Sequence, residues 1–163
     1  MGVPAVGDPA PDFELDTDSG KPFRLSTHRG KPVVLFFYPE DGTEGCTIEN
    51  REFTALVPQF KKLGVTVVGI SPDSVEKHCS FRDKHALKAI LAADPDRRAI
   101  EAFGLWGPKK TFGVSYTGLY RTTVLVAADG RIAAVWPVTR IRGHAATVLE
   151  ASKALVGPKP DRQ

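Results

Sequence analysis

The residue of this sequence best suited to chemistry is Cys46, which lies in the segment FFYPEDGTEGCTIE (36–49). An apolar run, VVLFFY, ends at Pro39, glycines follow at Gly42 and Gly45, and a helical pattern begins around the cysteine. A thiol in the first turn of a helix feels the positive end of the helix dipole and unpaired backbone N–H groups, which favour the thiolate. The sequence therefore predicts a reactive nucleophile here, whereas the alternative is the small buried hydrophobic residue that most free cysteines are.

The elements that must position this cysteine are strands that alternate with helices. Continuous apolar runs, KPVVLFFYP and GVTVVGIS, predict two buried strands. A helix is predicted after each: one over about residues 44–63, and one in SPDSVEKHCSFRDKHAL with Ser71 or Asp73 as its cap. Pro58 lies inside the first helix and is expected to kink or divide it.

The remaining segments complete an α/β pattern. DFEL and PFRL around the turn DTDSG predict a hairpin near the N-terminus, AILAAD predicts a short strand and DRRAIEAFGL a short helix. YRTTVLVAADGRIAAVW predicts a second hairpin, and residues 143–156 predict a final amphipathic helix. This order indicates one domain over residues 1–157 with a partly parallel sheet, followed by a disordered tail over 158–163. In such sheets, functional residues gather at the carboxyl ends of the strands.

Composition excludes several classes of function. The net charge is +3, from 22 basic and 19 acidic residues, and no basic run indicates a nucleic-acid partner. No apolar stretch approaches the roughly 18 residues of a membrane span, and no signal peptide is visible, so we expect a cytoplasmic protein that does not bind membranes. Cys46 and Cys79 do not form a CxxC pair, and Cys79 with His78 and His85 offers too few ligands for zinc. No metal or other cofactor is expected.

The loop before Cys46 carries a family resemblance. PEDGTEGC fits the pattern Pro-xxx-Thr-xx-Cys through Pro39, Thr43 and Cys46, and it resembles the active-site loop of peroxiredoxins. GDPAPDFEL and GVTVVGISPDS look like neighbouring segments of that family, and FGLWG and YRTTVLVAADGRI resemble its bacterioferritin comigratory protein (peroxiredoxin Q) branch. The resemblance implies a thioredoxin-like fold: a central mixed β-sheet flanked by helices, with an N-terminal β-hairpin extension. It also implies a thiol-dependent peroxidase that reduces hydrogen peroxide and organic hydroperoxides.

The resemblance also assigns roles to five residues. Cys46 would be the peroxidatic cysteine, which becomes a sulfenic acid, and Arg121 in YRTTVLV would be the active-site arginine. Pro39 would shield the thiolate, and Thr43 would offer its hydroxyl to the thiolate and to the peroxide. Glu49 would orient the arginine. Taken singly, each has an ordinary alternative: a solvated charge for Arg121, a helix cap for Thr43, a strand end for Pro39 and a first-turn acid for Glu49.

Cys79 is the candidate for the resolving cysteine, which must condense with the sulfenic acid before further oxidation. In the similar branch this cysteine lies five or about thirty-six residues after the peroxidatic one, positions that Arg51 and Arg82 occupy here. Cys79 precedes the second position by three residues and would share a helix face with it. A Cys46–Cys79 bridge would require the first helix to unwind locally. The alternative is a one-cysteine enzyme that is resolved by an external thiol.

The resemblance suggests thioredoxin as the reductant, with glutaredoxin or a small thiol as alternatives, and a monomer or weak dimer. A thiol–disulfide oxidoreductase of the same fold would need CxxC, and Thr43 replaces its first cysteine. A cysteine hydrolase would need a histidine beside Cys46. A non-enzymatic holdase or binding module is the remaining alternative.

Overall fold

Five strands form the central sheet of the protein, and the helices lie between or after them in the chain. The computed structural model describes residues 3–157, apart from the side chain of Thr111, so that the predicted tail over 158–163 lies outside the described residues. The strands are β1 (Glu14–Leu15), β2 (Phe23–Arg24), β3 (Val33–Phe37), β4 (Thr66–Ser71), β5 (Ile90–Ala93), β6 (Trp106–Thr111), β7 (Val114–Leu119), β8 (Thr122–Val126) and β9 (Ile132–Pro137). The helices are α1 (Glu44–Lys62), α2 (Val75–His85), α3 (Arg98–Ala102) and α4 (His144–Val156), with a 3-10 helix at Leu25–His28.

The central sheet is mixed and has the order β5–β4–β3–β8–β9. The β3–β4 and β4–β5 pairs are parallel, whereas β8 is antiparallel to both β3 and β9. Two separate antiparallel pairs, β1–β2 and β6–β7, lie outside this sheet. The predicted N-terminal hairpin corresponds to β1–β2, and the hairpin predicted in YRTTVLVAADGRIAAVW corresponds to β8–β9. Both predictions are confirmed.

The central strand β3 is buried on both faces, as its continuous apolar run predicts. Val33, Leu35 and Phe37 contribute to one hydrophobic cluster, which includes the N-terminal hairpin and α3. The alternate side chains, Val34 and Phe36, contribute to a second cluster with α1, α2 and α4. The loop that leads to α1 starts from the carboxyl end of this buried strand.

Two details of the helices differ from the sequence predictions. Ser74, not Ser71 or Asp73, is the N-cap of α2, and its hydroxyl accepts a hydrogen bond from Lys77 N at 3.1 Å. Pro58 does not divide α1, which is continuous. Proline removes the helical bond to the carbonyl four residues earlier, but Pro58 is exposed and Thr54 is only partly buried, so that water can satisfy the carbonyl.

The β6–β7 hairpin was not predicted. Its two-residue turn consists of Phe112 and Gly113, which both have positive φ angles, of 53° and 79°. Such a turn usually carries Asn-Gly or Asp-Gly, and Phe-Gly lacks that sequence signature. Of the helices within residues 3–157, none has the length and apolarity needed to cross a lipid bilayer.

Candidate active site

Cys46 lies in the first turn of α1, as predicted, and its side chain is fully buried. Thr43 is the N-cap residue with an extended backbone, and the first helical hydrogen bond runs from Thr47 N to Thr43 O at 2.9 Å. The backbone N–H groups of Glu44, Gly45 and Cys46 therefore precede the helical ladder and have no intrahelical acceptor. The sulfur sits where these groups and the helix dipole favour negative charge.

Arg121 joins the sulfur of Cys46 to the carboxylate of Glu49. Its Nη2 donates to Cys46 Sγ at 3.2 Å, and its Nη1 donates to Glu49 Oε1 at 2.5 Å. The sheet explains this meeting, because Phe37 at the end of β3 pairs with Thr122 at the start of the antiparallel β8. The residue before β8 therefore lies at the same edge as the residues that follow β3.

Glu49 is almost fully buried one helical turn beyond Cys46. Burial raises the pKa of Glu49 from 4.5 to about 7, although the nearby Arg121 charge and hydrogen bond act in the opposite direction. Its Oε2 is buried and has no hydrogen-bond partner among residues 3–157. The carboxyl group is therefore poised between its charged and neutral forms near neutral pH.

Two residues of the loop motif lie near the site without contacting the sulfur by a hydrogen bond. The Thr43 hydroxyl donates to Glu40 O at 3.0 Å and makes no capping bond to the helix. Pro39 is partly buried directly after the core residue Tyr38. The arrangement thus brings together Cys46, Glu49 and Arg121, whereas the predicted bond from Thr43 to the thiolate is not present in this conformation.

Sequence reasoning missed two residues that contact the first turn of α1. The Asn50 side chain is buried, and its Nδ2 donates to the backbone oxygen of Cys46 at 3.0 Å. Ile141, between β9 and α4, lies so close to Gly45 that a Cβ there would be 2.9 Å from Ile141 Cδ1. The four-residue spacing to Asn50 was a readable signal, whereas nothing in the sequence placed Ile141 over the site.

A buried polar network lies beneath the active-site loop. Asp41 accepts a bond from the Tyr38 hydroxyl at 2.6 Å, and its other oxygen is 2.6 Å from His78 Nδ1. His78 Nε2 is 3.0 Å from the backbone oxygen of Ala92, and Asp73 accepts from Asp41 N at 2.7 Å. Ligand atoms of Asp41, Asp73 and His78 lie within 4.8 Å of one another, but each is already hydrogen-bonded to the protein. The network joins the loop to α2.

Cys79 lies on α2 and is a free, partly buried thiol. Its Sγ donates to the backbone oxygen of Asp18 at 3.4 Å, in the turn between β1 and β2. Arg82 pairs with the Asp18 side chain, so that Cys79 and Arg82 share a helix face, as their spacing predicts. In this conformation Cys79 therefore points toward the N-terminal hairpin.

Comparisons with known proteins place the chain in a family. Residues 6–135 match the model of the AhpC/TSA family. Peroxiredoxin Bcp of Bacillus subtilis is 40% identical over 148 residues, which cover 91% of this chain and 94% of that protein. The putative peroxiredoxin bcp of Coxiella burnetii is 44% identical over 88% of this chain and 95% of that protein.

Solved structures agree with these relatives. Peroxiredoxin Q of Xanthomonas campestris superposes with a TM-score of 0.84 at 35% identity, over 89% of this chain and 92% of that one. A structure of the Xanthomonas campestris bacterioferritin comigratory protein gives a TM-score of 0.87 at 33% identity, over 94% of this chain and the whole of that one. The thioredoxin-like fold and the resemblance found in the sequence are confirmed, and the chain belongs to the AhpC/TSA family as a thiol-dependent peroxidase of the Bcp (peroxiredoxin Q) type.

Proposed function

We propose that Cys46 is the peroxidatic cysteine and that Arg121 stabilises the charge that develops when it attacks a peroxide. The guanidinium that bridges Cys46 Sγ and Glu49 Oε1 is the observation that carries this proposal. Attack of the sulfur on an O–O bond expels an alkoxide or hydroxide, so that negative charge moves from sulfur to the departing oxygen. A fixed cation and the unpaired N–H groups at the start of α1 are positioned to meet that charge.

The loop residues have supporting roles in this proposal. Pro39 limits access of water to the thiolate, and Thr43 offers its hydroxyl to the incoming peroxide after exchanging its bond to Glu40. Glu49 fixes the orientation of Arg121 through the bond to Nη1. Because a side-chain hydroxyl rotates about a single bond, the present bond of Thr43 to a backbone oxygen is compatible with such an exchange.

The substrates proposed are hydrogen peroxide and organic hydroperoxides. The bacterioferritin comigratory protein of Xanthomonas campestris, which this chain resembles, has alkyl peroxide reduction activity. Ile141 beside Gly45 supplies an apolar side chain at the first turn of α1, where the organic part of a hydroperoxide would approach.

Cys79 is proposed to resolve the sulfenic acid as a disulfide, which thioredoxin, or alternatively glutaredoxin or a small thiol, then reduces. Its thiol now faces Asp18, so that the bridge requires α2 to turn or unwind as well as α1. Recycling by thiols needs a reducing compartment, which supports a cytoplasmic location. The protein is proposed to act as a monomer or weak dimer.

The intact mass of the reduced protein after one equivalent of hydrogen peroxide, followed by peptide mapping, tests the function. Loss of two hydrogens mapped to a Cys46–Cys79 link supports the two-cysteine cycle, whereas added oxygen on Cys46 with Cys79 free indicates a one-cysteine enzyme. Cys46→Ser should consume no peroxide, and Cys79→Ser should still form the sulfenic acid. If both cysteines of the wild type stay reduced, the proposed role of Cys46 is wrong.

A further inference from the structure

Cys46 and Glu49 share one cation. Arg121 contacts Sγ at 3.2 Å and Oε1 at 2.5 Å, and the two acceptor side chains are 0% and 1% exposed. One guanidinium compensates one negative charge, and the N-terminus of α1 favours that charge at sulfur, so that a second buried anion at Glu49 would be strongly unfavourable. The thiolate and the carboxylate therefore compete for Arg121, and one proton is divided between them.

The second oxygen of Glu49 indicates where that proton resides. Oε2 is buried and accepts no hydrogen bond from any residue within 3–157. An ionised carboxylate would place part of a full charge on this unsatisfied oxygen, which costs more than a neutral O–H group there, and the neutral acid leaves Oε1 to accept from Arg121. Burial also raises the pKa of Glu49 to about 7. Both features favour the neutral acid beside a thiolate.

We propose that Glu49 holds the proton given up by the Cys46 thiol and releases it as the peroxide is cleaved. This inference rests on the proposed function of Cys46. The thiolate sulfur bonds to one peroxide oxygen and the O–O bond breaks. Sulfur is thereby oxidised to a sulfenic acid, and the peroxide is reduced. The expelled alkoxide or hydroxide takes up one proton, and Glu49 loses one and becomes a carboxylate.

The change in charge at sulfur drives this release. Before the reaction, Arg121 compensates the thiolate, and afterwards the sulfenic acid is neutral and the same cation is free to compensate Glu49. The carboxyl group therefore becomes more acidic at the step in which the departing oxygen needs a proton. The site contains one cation and one anion before and after the step. Glu49 acts through Arg121 and is a positioning residue that also balances charge.

Two other titratable groups near Glu49, Glu52 and His144, do not supply a positive charge that could replace that of Arg121. Glu52, on the same helix, adds negative charge that disfavours an ionised Glu49. His144 on α4 packs edge-on against Phe53 of α1, and burial lowers the pKa of His144, so that it is uncharged near pH 7. Neither group can compensate a second anion in place of Arg121.

Proton uptake in a single turnover tests the inference. The reduced full-length enzyme, in weakly buffered solution just above pH 7, is mixed with one equivalent of hydrogen peroxide, and a pH indicator reports protons taken up per peroxide consumed. We expect no net uptake for the wild type, because Glu49 supplies the proton. Glu49→Gln, which keeps an acceptor for Arg121, should take up one proton per peroxide. Glu14→Gln, at an exposed acid of β1 away from the site, should behave like the wild type.

Infrared difference spectra complete the test, and the change in the wild-type spectrum does not depend on a variant that might fold poorly. A carboxylic-acid C=O band should be present in the reduced wild type, disappear on oxidation and be missing from Glu49→Gln. Uptake of one proton by the wild type, no uptake by either protein, or no such band would overturn the inference while peroxide is still consumed. Failure of the wild type to consume peroxide would instead overturn the proposed function, and the proton transfer with it.

Discussion

Replacement of Arg121 by lysine separates the two tasks of this side chain. The guanidinium presents two nitrogens at a fixed spacing, and these contact Cys46 Sγ at 3.2 Å and Glu49 Oε1 at 2.5 Å. Lysine keeps the positive charge but has one nitrogen on a flexible stem, so that it cannot hold both acceptors in one geometry. Because the arginine side chain is only 16% exposed, water cannot freely replace the lost donor.

The expected loss follows from the value of one preorganised donor. Removing such a donor from a site where charge develops costs about 3–4 kcal/mol of transition-state stabilisation, which corresponds to a loss of roughly 10²–10³-fold in rate. Thiolate formation should fall much less, because the lysine charge still favours negative sulfur. The two effects can therefore be measured separately.

Two second-order rate constants of the reduced protein are compared. One is for the reaction with hydrogen peroxide, measured by stopped flow, and the other is for alkylation of Cys46 by iodoacetamide. Arg121→Lys should lose at least a hundredfold in the first, in accord with the donor's value, and far less in the second. Arg131→Lys changes an exposed arginine that bonds to Gly7 O and is the matched control. A peroxide rate near that of the wild type, or an equal loss in both reactions, would refute the role of Arg121 in the transition state.

Three further predictions concern buried or reactive groups. Because the pKa of Glu49 is 4.5 in the unfolded chain and about 7 in the fold, its contribution to stability is present below pH 4.5 and is lost as the pH rises through about 7. The wild type should thus lose about 3 kcal/mol of unfolding free energy across that window relative to Glu49→Gln in urea titrations, and parallel pH profiles would contradict this. His78→Phe should lower the unfolding free energy by about 3–5 kcal/mol because it leaves one buried oxygen of Asp41 without a partner while Tyr38 still bonds to the other, and a loss below about 1 kcal/mol would show that the pair contributes little. Cys79→Ser should leave the first oxidation of Cys46 unchanged but make repeated turnover depend on added small thiol, and unaffected turnover with thioredoxin would show that Cys79 is not needed.

The position of Cys46 at the start of α1 could be predicted from the sequence because it depends on local order. An apolar run that ends at Pro39 must be a buried strand, and the glycine-rich turn leads directly into a helix with Cys46 in its first turn. Hydrophobic periodicity and turn residues carry this information within about 25 residues. The same local rules predicted the separate β1–β2 hairpin, the β8–β9 hairpin of the central sheet and the short strand β5, but they failed at the Phe112–Gly113 turn, which has the backbone of a hairpin turn without its usual residues.

Arg121 illustrates what local patterns do not contain. It lies 75 residues after Cys46, and the family resemblance nominated it. Its place at the site depends on the antiparallel pairing of β8 with β3, which brings the start of one strand beside the end of the other. Neither strand order nor register can be read from either segment alone. The direction of the Cys79 thiol toward Asp18 likewise depends on where α2 packs against the N-terminal hairpin.

Glu49 shows the same limit for chemistry. As an acid near the start of a predicted helix, it is an ordinary residue in the sequence, and its spacing from Cys46 predicts only that the two share a helix face. Whether it orients an arginine or carries a proton depends on burial, on whether Oε2 has a hydrogen-bond partner and on the number of cations within reach. All three are tertiary properties. The protonation states of Cys46 and Glu49 are therefore set by the packing around α1. The same motif with a second nearby cation would keep both side chains ionised.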